Sequence, residues 1–117
     1  MTILPMKPVP KPRMTRADTW KQRPSVMRYR AFCDEWRLRV PTTLDLNNLS
    51  IEFTIEMPKS WSKKKRAIMD GTPHTQTPDL DNMLKAVLDA HRSDDSGIHT
   101  LSRLSKIWGY KGQIRLL

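Results

Sequence analysis

Residues 49–57 read LSIEFTIEM, and this stretch decides the fold class. Apolar side chains occupy the odd positions from Leu49 to Met57, and polar side chains occupy the even positions between them. Because successive side chains of a strand point to opposite faces of a sheet, this alternation predicts a strand with one buried face. Pro58 cannot donate a ladder hydrogen bond and ends the strand. The fold therefore contains a sheet that is polar on one side.

Two further stretches follow the helical period. Residues 24–39 carry apolar side chains at three- and four-residue intervals, and these are Val26, Tyr29, Phe32, Cys33 and Trp36. Ser25 after Pro24 is the expected N-cap, and Pro41 is a stop. Residues 79–90 place a second set on one face, namely Leu80, Met83, Leu84, Val87 and Leu88. Both stretches are predicted to be amphipathic helices.

The remaining segments complete the predicted fold. Residues 98–108 and 113–117 look like two more strands, joined by the segment GYKG. Residues 60–71 read as a short basic helix or turn. Residues 1–23 form an extended basic segment, because its prolines fix the backbone and remove hydrogen-bond donors. We expect an α+β fold in which a small mixed β-sheet packs against two main helices, in a single domain spanning residues 1–117.

The charge balance indicates the class of partner. The 117 residues include 21 Lys and Arg against 12 Asp and Glu, which gives a net charge of +9. Such a field attracts polyanions, of which nucleic acid is the commonest. Cys33 stands alone and fits a reducing compartment, and neither a membrane helix nor a secretory signal is visible. We expect a cytoplasmic protein that binds nucleic acid, without a membrane or a small-molecule cofactor.

Several side chains are candidates for contacts with that partner. The candidates for phosphate contacts are Lys11, Arg13, Arg16, Lys21, Arg23, Lys63, Lys64, Lys65 and Arg66. For each cation alone, a solvated surface position is an equally good interpretation. Trp20 and Trp61 lie in polar surroundings and could stack on unpaired bases. His74, His91 and His99 lack the spacing of a zinc site, so we interpret them as polar or structural.

A group of aspartates inside this basic chain carries the candidate chemistry. Asp79 and Asp81 lie at a helix start, where exposed N–H groups favour negative charge, and Asp94 and Asp95 lie at a turn before a strand. If they converge, their repulsion is relieved by a cation such as Mg²⁺, which takes oxygen ligands at about 2.1 Å. Such a site suits phosphodiester hydrolysis, with Lys85 adding positive charge or orienting Asp81.

A structural interpretation of the same residues stays open. Asp79 would then be an N-cap, Asp81, Lys85 and Asp89 would form a surface ion-pair ladder, and Asp94 with Asp95 would be part of a loop. Spacing alone does not decide between this interpretation and a metal site.

The full sequence motifs around these aspartates identify a protein family more specifically than the spacing of the aspartates does. PDLDNMLKAVLDA at 78–90, followed by DDSGIHTLSRLSKIWG at 94–109, closely resembles the RusA family of Holliday-junction resolvases, particularly its phage-type members. MPKSWSKKKR at 57–66 and PMKPVPKPRMTR at 5–16 are similar to that family's strand-end and N-terminal segments.

The resemblance implies a homodimeric endodeoxyribonuclease that acts in DNA recombination and repair. It would bind four-way junctions, require Mg²⁺ or Mn²⁺, and nick two opposing strands symmetrically. Asp79, Asp81 and Asp95 match the metal-binding carboxylates, Lys85 matches the catalytic lysine, and Asp94 matches a neighbouring acidic position with a lesser role. Two alternatives stay open: a non-catalytic nucleic-acid-binding accessory protein, and a nuclease that acts on flaps, forks or other branched DNA.

Overall fold

The structure, a computed structural model, describes residues 2–13, 23–91 and 97–117. In chain order its elements are β1 (Thr2–Leu4), α1 (Pro24–Arg39), β2 (Ser50–Glu56), α2 (Lys63–Met69), α3 (Leu80–Ala90), β3 (Arg103–Gly109) and β4 (Gln113–Leu116). A mixed four-stranded sheet with three helices confirms the predicted α+β class. None of the described helices has the length and apolar character to cross a membrane.

The described residues form two compact units. The sheet unit is drawn from Met1–Pro8, Leu46–Thr77 and Ile98–Leu117, and the helical unit from Val9–Asp45 and Pro78–Gly97. The sheet unit therefore holds all four strands and α2, whereas the helical unit holds α1 and α3.

The alternation of residues 49–57 predicts a strand, and this strand is β2, which pairs with a neighbour on each side. The strand order is β1-β4-β2-β3, with β2 antiparallel to β4 and parallel to β3. Ile51 and Phe53 are fully buried, and Phe53 lies opposite the buried Ile114 of β4. The polar residue Glu52 is half-buried and forms an ion pair with Arg115 across the two strands at 3.1 Å. One face of the sheet is therefore apolar core and the other carries polar groups.

The outer edge of β3 is covered by the proline-bounded segment before α3. The backbone N–H of Trp108 donates to the Thr72 carbonyl at 3.0 Å, and that of His74 donates to the Lys106 carbonyl at 3.1 Å. Pro73 forms a bridge with Ile107 in the antiparallel sense. Because exposed edge strands invite pairing with other chains, this cover protects β3 from such pairing.

In the helical unit, α1 and α3 pack together through the apolar stripes that the sequence predicts. Val26, Phe32 and Trp36 of α1 are buried, as are Met83 and Val87 of α3. The predicted N-cap of α1 is wrong, because the helix begins at Pro24 and its N-cap is Arg23, not Ser25. Pro24 occupies the first helical position, where its missing N–H has no intrahelical partner to lose.

The structure differs from the sequence analysis at two strands, β1 and β3. β1 was not predicted as a strand, since it has three residues and its pairing with β4, such as Ile3 with Arg115, is long-range. β3 begins at Arg103 and not at residue 98. The residues before it bind a neighbouring turn: Asn48 donates its backbone N–H to the Thr100 carbonyl at 2.8 Å, and the Asn47 side chain accepts from the backbone N–H of His99 at 2.8 Å.

Candidate functional site

The N-terminal end of α3 presents two of the predicted carboxylates. Asp79 is the N-cap residue by position, with φ −70° and ψ 142°, but its side chain makes no capping hydrogen bond. Asp81 follows in the first turn, and both residues are exposed. The structure thus confirms Asp79 as the N-cap by position, but its carboxylate does not serve as a hydrogen-bonding cap. Two carboxylates stand instead at the helix end where the dipole favours negative charge.

Lys85 lies one turn beyond Asp81 and faces it. Its Nζ atom is 3.8 Å from Oδ2 of Asp81, and both side chains are more than half exposed. An exposed pair at this distance contributes little to stability, about 0.3–0.5 kcal/mol for helical spacing. Asp81 therefore keeps most of its capacity to bind another cation.

Asp89 does not continue this pair into a ladder. The Tyr29 hydroxyl donates to Oδ2 of Asp89 at 2.7 Å, and the Lys11 ammonium lies 2.5 Å from the same oxygen. Burial raises the pKa of the Asp89 carboxyl, but hydrogen bonds from Lys11 and Tyr29 and the charges of Lys11 and Arg37 outweigh burial and lower it. The carboxylate is thus held in its charged form. The prediction of a three-membered ladder is wrong at Asp89.

Within the basic N-terminal segment, residues 11–13 lie beside α3. The backbone N–H of Lys11 donates to the Asn82 carbonyl at 3.0 Å, and Arg23 donates to the Arg13 carbonyl at 2.9 Å. Between this segment and α3 is an open cleft of about 480 Å³. Its lining residues are Lys11, Pro12, Arg13, Asn82 and Lys85. A concave surface with three cations in its lining suits the phosphates of a polyanion.

The other cluster of predicted cations lies on α2. Lys63, Lys64 and Lys65 are exposed, and the Ser62 side chain caps the helix by accepting from the backbone N–H of Lys65 at 3.1 Å. Arg66 is turned to the protein, where it donates to the Pro58 carbonyl at 3.1 Å. Three of the four cations on this helix are therefore presented to solvent.

Trp61 beside this helix is not an isolated ring. It packs on Trp108 with 4.8 Å between ring centroids, and the Lys65 ammonium lies 4.2 Å from the Trp61 centroid. Stacking of Trp61 on a base stays a prediction, and Trp20 lies outside the described residues.

A known protein family matches nearly the whole chain. The model of the family described as Endodeoxyribonuclease RusA matches residues 5–115. The chain belongs to the RusA family. The match begins in the basic N-terminal segment, includes all three helices with β2 and β3, and ends within β4. No curated protein and no solved structure matches the chain.

RusA-family membership makes the chain an endodeoxyribonuclease by family, and the chemistry of its donor set fits a hard divalent cation. Asp79 and Asp81 offer carboxylate oxygens, the ligands that Mg²⁺ prefers. Within the described ranges, no group of three or more His, Cys, Asp or Glu side chains is arranged to hold a metal. Asp94, Asp95, Arg16 and Lys21 lie outside those ranges. The convergence of three or four carboxylates therefore stays a prediction.

Two of the described histidines, His91 and His74, are buried and make contacts within their own units. His91 is buried, accepts from the Trp36 indole N–H at 3.1 Å, and lies 2.7 Å from the Leu44 carbonyl through its other ring nitrogen. His74 is buried beside Trp108, and burial together with the charge of Lys106 lowers its pKa. These contacts give His91 and His74 packing roles in their units.

Asn82 is a cleft residue that sequence reasoning missed. It follows Asp81 in the DLDN run. Its backbone carbonyl accepts a hydrogen bond from Lys11, and the residue lines the cleft. Asp81 is a candidate because of its charge, whereas an amide in a helical stretch gives no separate signal of function.

Proposed function

We propose that this RusA-family chain is a divalent-metal-dependent endonuclease that resolves four-way DNA junctions by paired symmetric nicks. The observation that carries the proposal is the double placement of Lys85. It lies 3.8 Å from the Asp81 carboxylate and also lines the basic cleft. One side chain thus connects the proposed metal-binding carboxylates with the proposed path of the DNA backbone.

The proposed metal ligands are Asp79, Asp81 and Asp95, with Asp94 as a neighbouring acidic group. Mg²⁺ or Mn²⁺ held there would polarise the scissile phosphate and lower the pKa of an attacking water. In this proposal Lys85 stabilises the negative charge that develops on the phosphoryl oxygens and keeps Asp81 oriented. Both roles need a cation within reach of Asp81 and exposed to the substrate, which supports assigning them to Lys85.

The proposed DNA contacts extend from the cleft to other cations. Arg13 and Lys85 would contact backbone phosphates in the cleft, and Lys63, Lys64 and Lys65 would contact them from α2. Arg16 and Lys21 belong to the same proposed set. The Arg23 guanidinium donates a hydrogen bond to the Arg13 carbonyl and so helps to hold Arg13 in place. Such contacts hold a backbone without reading bases, which suits recognition of a branched shape.

We also propose a homodimer that acts in the cytoplasm. A junction is resolved by two cuts, and a twofold dimer presents two identical sites to a nearly twofold substrate. The family membership and the net charge of +9 support a DNA substrate for this dimer.

The decisive experiment replaces one carboxylate. Asp81→Asn should lower Mg²⁺-dependent cleavage of a labelled four-way junction by about a hundredfold or more, since a ligand of the cation is lost. Junction binding without metal should be kept or strengthened, because one negative charge facing the phosphates is removed. Cleavage products and a binding titration measure the two effects.

Asp34→Asn is the matched control, since Asp34 is an exposed aspartate on α1 and the substitution makes the same change in charge. It should cleave within about twofold of the wild type. A fully active Asp81→Asn protein would reject the mechanism, and a wild type that binds but never cuts would favour the accessory-protein alternative. Flaps and forks tested beside the junction identify the preferred branched substrate.

A further inference from the structure

We propose that Asp89 is a positioning residue for DNA binding, which holds residues 11–13 against α3 and so shapes the basic cleft. These residues, Lys11–Arg13, are called the strap below. The inference rests on the proposed function, since it concerns how the same cleft is kept open for DNA. Asp89 itself is not among the residues that line the cleft.

Within the helical unit, the backbone of Asp89 is held by α3 and its carboxylate by a side chain of α1. It is part of α3, and its Oδ2 atom accepts a 2.7 Å hydrogen bond from Tyr29 of α1, a residue only 7% exposed. A buried phenol has little freedom, so it fixes the carboxylate oxygen that also binds Lys11. The anchor for the strap is therefore a preorganised charge and not a mobile surface carboxylate.

Lys11 contacts α3 at two separated points. Its backbone N–H binds the Asn82 carbonyl, and its ammonium binds Asp89. Seven residues separate these partners, which corresponds to about 10 Å along a helix axis. The Lys11 side chain therefore runs along α3, and its two ends fix both the place and the direction of the strap.

This arrangement gives the three cations of the cleft different roles. The Lys11 charge is compensated by Asp89. Arg13 is exposed, and the ion pair that Lys85 makes within the described residues is the long, exposed one with Asp81. Lys11 acts as the anchor of the strap, and Arg13 and Lys85 present their charges to the ligand. Removing the anchor leaves both charges in the chain, but Arg13 on the strap then loses its fixed place beside Lys85 of α3.

The proposal and simple electrostatics predict opposite results for Asp89→Asn. Removing a negative charge makes the protein more basic and should tighten DNA binding if only net charge matters. Loss of the Lys11 anchor should instead weaken binding, because ordering the strap then occurs at the expense of the binding free energy. The sign of the change separates the two.

The experiment measures junction affinity without metal and single-turnover cleavage with Mg²⁺ for wild type, Asp89→Asn, Lys11→Gln and the double variant. Asp89→Asn should raise Kd roughly five- to thirtyfold, while the cleavage rate at saturating protein stays within about twofold. The double variant should bind no more weakly than the weaker single variant, since both remove one contact. A general loss of structure would lower the saturated rate as well.

Glu35→Gln is the matched control. It removes one negative charge from an exposed ion pair with Arg39 at 3.3 Å on α1, and affinity should stay equal or become slightly tighter. Tyr29→Phe should raise Kd by less than Asp89→Asn does, because it leaves the Lys11 ion pair in place. If Asp89→Asn fails to fold, Lys11→Gln tests the same contact from the strap. It should weaken binding more than Lys63→Gln does, because Lys63→Gln removes one exposed positive charge without releasing the strap, and equal losses would overturn the proposal.

Asp89→Asn and Lys11→Gln proteins that bind as tightly as wild type, or whose effects add in the double variant, overturn the proposal. If the wild type binds and cuts junctions while the variants give this result, the inference about Asp89 is overturned and the proposed function is kept. A wild type that neither binds nor cuts overturns the proposed function, and the role of Asp89 falls with it.

Discussion

His91 shows how one buried polar side chain joins three segments of the helical unit. It follows α3, accepts a hydrogen bond from the indole N–H of Trp36 on α1, and binds the Leu44 carbonyl in the loop after α1. For both contacts to form, Nδ1 must be the acceptor and Nε2 must carry the proton. The two contacts therefore orient the ring and give each of its nitrogens a separate partner.

Replacing His91 should consequently destabilise the fold. His91→Leu leaves the buried Trp36 N–H and the Leu44 carbonyl without this partner, and we expect the free energy of unfolding to fall by about 2–3 kcal/mol. Urea unfolding at neutral pH measures it. His99→Leu is the control, since His99 is exposed, and it should change stability by less than about 0.5 kcal/mol. Equal effects of the two variants would contradict a bridging role for His91.

At the scale of residues, sequence spacing predicted one ion pair of the candidate site but not the partners of Asp89. The Asp81–Lys85 pair follows from helical spacing alone, and the structure confirms it. Asp89 was assigned to the same ladder, yet its partners come from outside the helix, with Tyr29 lying 60 residues away in sequence. Spacing along one helix shows only local pairs, so contacts of this kind require the tertiary structure.

At the scale of elements, Gly109 ends β3 where the sheet leaves no room for a side chain. A Cβ atom built there would lie 2.3 Å from Cγ2 of Thr54, a buried residue of β2. A β-branched side chain in a strand has few alternative rotamers, so the clash cannot be relieved cheaply. The close approach of β2 and the end of β3 therefore requires glycine.

Gly109→Ala should thus lower the free energy of unfolding by about 1–3 kcal/mol, as expected for overpacking. Adding Thr54→Ser removes the clashing methyl group and should restore part of that loss, which thermal or urea unfolding of the double variant measures. Gly97→Ala is the control, because a Cβ there meets nothing within 4 Å. An equally stable Gly109→Ala protein would show that the strands can move apart at this point without cost.

Sequence predicted the elements with strong periodicity and missed those defined by long-range pairing. β2, α1 and α3 lie within one or two residues of their predicted ranges. β1 carries three residues, too few for a periodic signal, and becomes a strand by pairing with β4. β3 and β4 follow each other closely in sequence, yet each pairs with β2 on opposite edges. Turn residues in the sequence mark where one strand ends and the next begins. They do not indicate which strands lie side by side in the sheet.

At the scale of the whole molecule, the family match and the charge balance both point to DNA. The match spans residues 5–115, and so includes segments of both units. That the two units fold together as one domain stays a prediction. The net charge of +9 attracts any polyanion, so general affinity and junction recognition have to be separated by experiment.

The cations of α2 allow that separation. If Lys63 and Lys64 contact backbone phosphates, the double variant Lys63→Gln/Lys64→Gln should make the dependence of log affinity on log salt shallower by about 1–2 units, since each phosphate contact contributes roughly 0.9. Binding should weaken for duplex and four-way junction alike, because phosphate contacts carry no sequence or branch information by themselves. The variant Lys63→Arg/Lys64→Arg keeps both charges and should keep the wild-type slope. An unchanged slope in the glutamine variant would place α2 outside the interface, whereas a loss confined to the junction would make α2 a reader of the branch point.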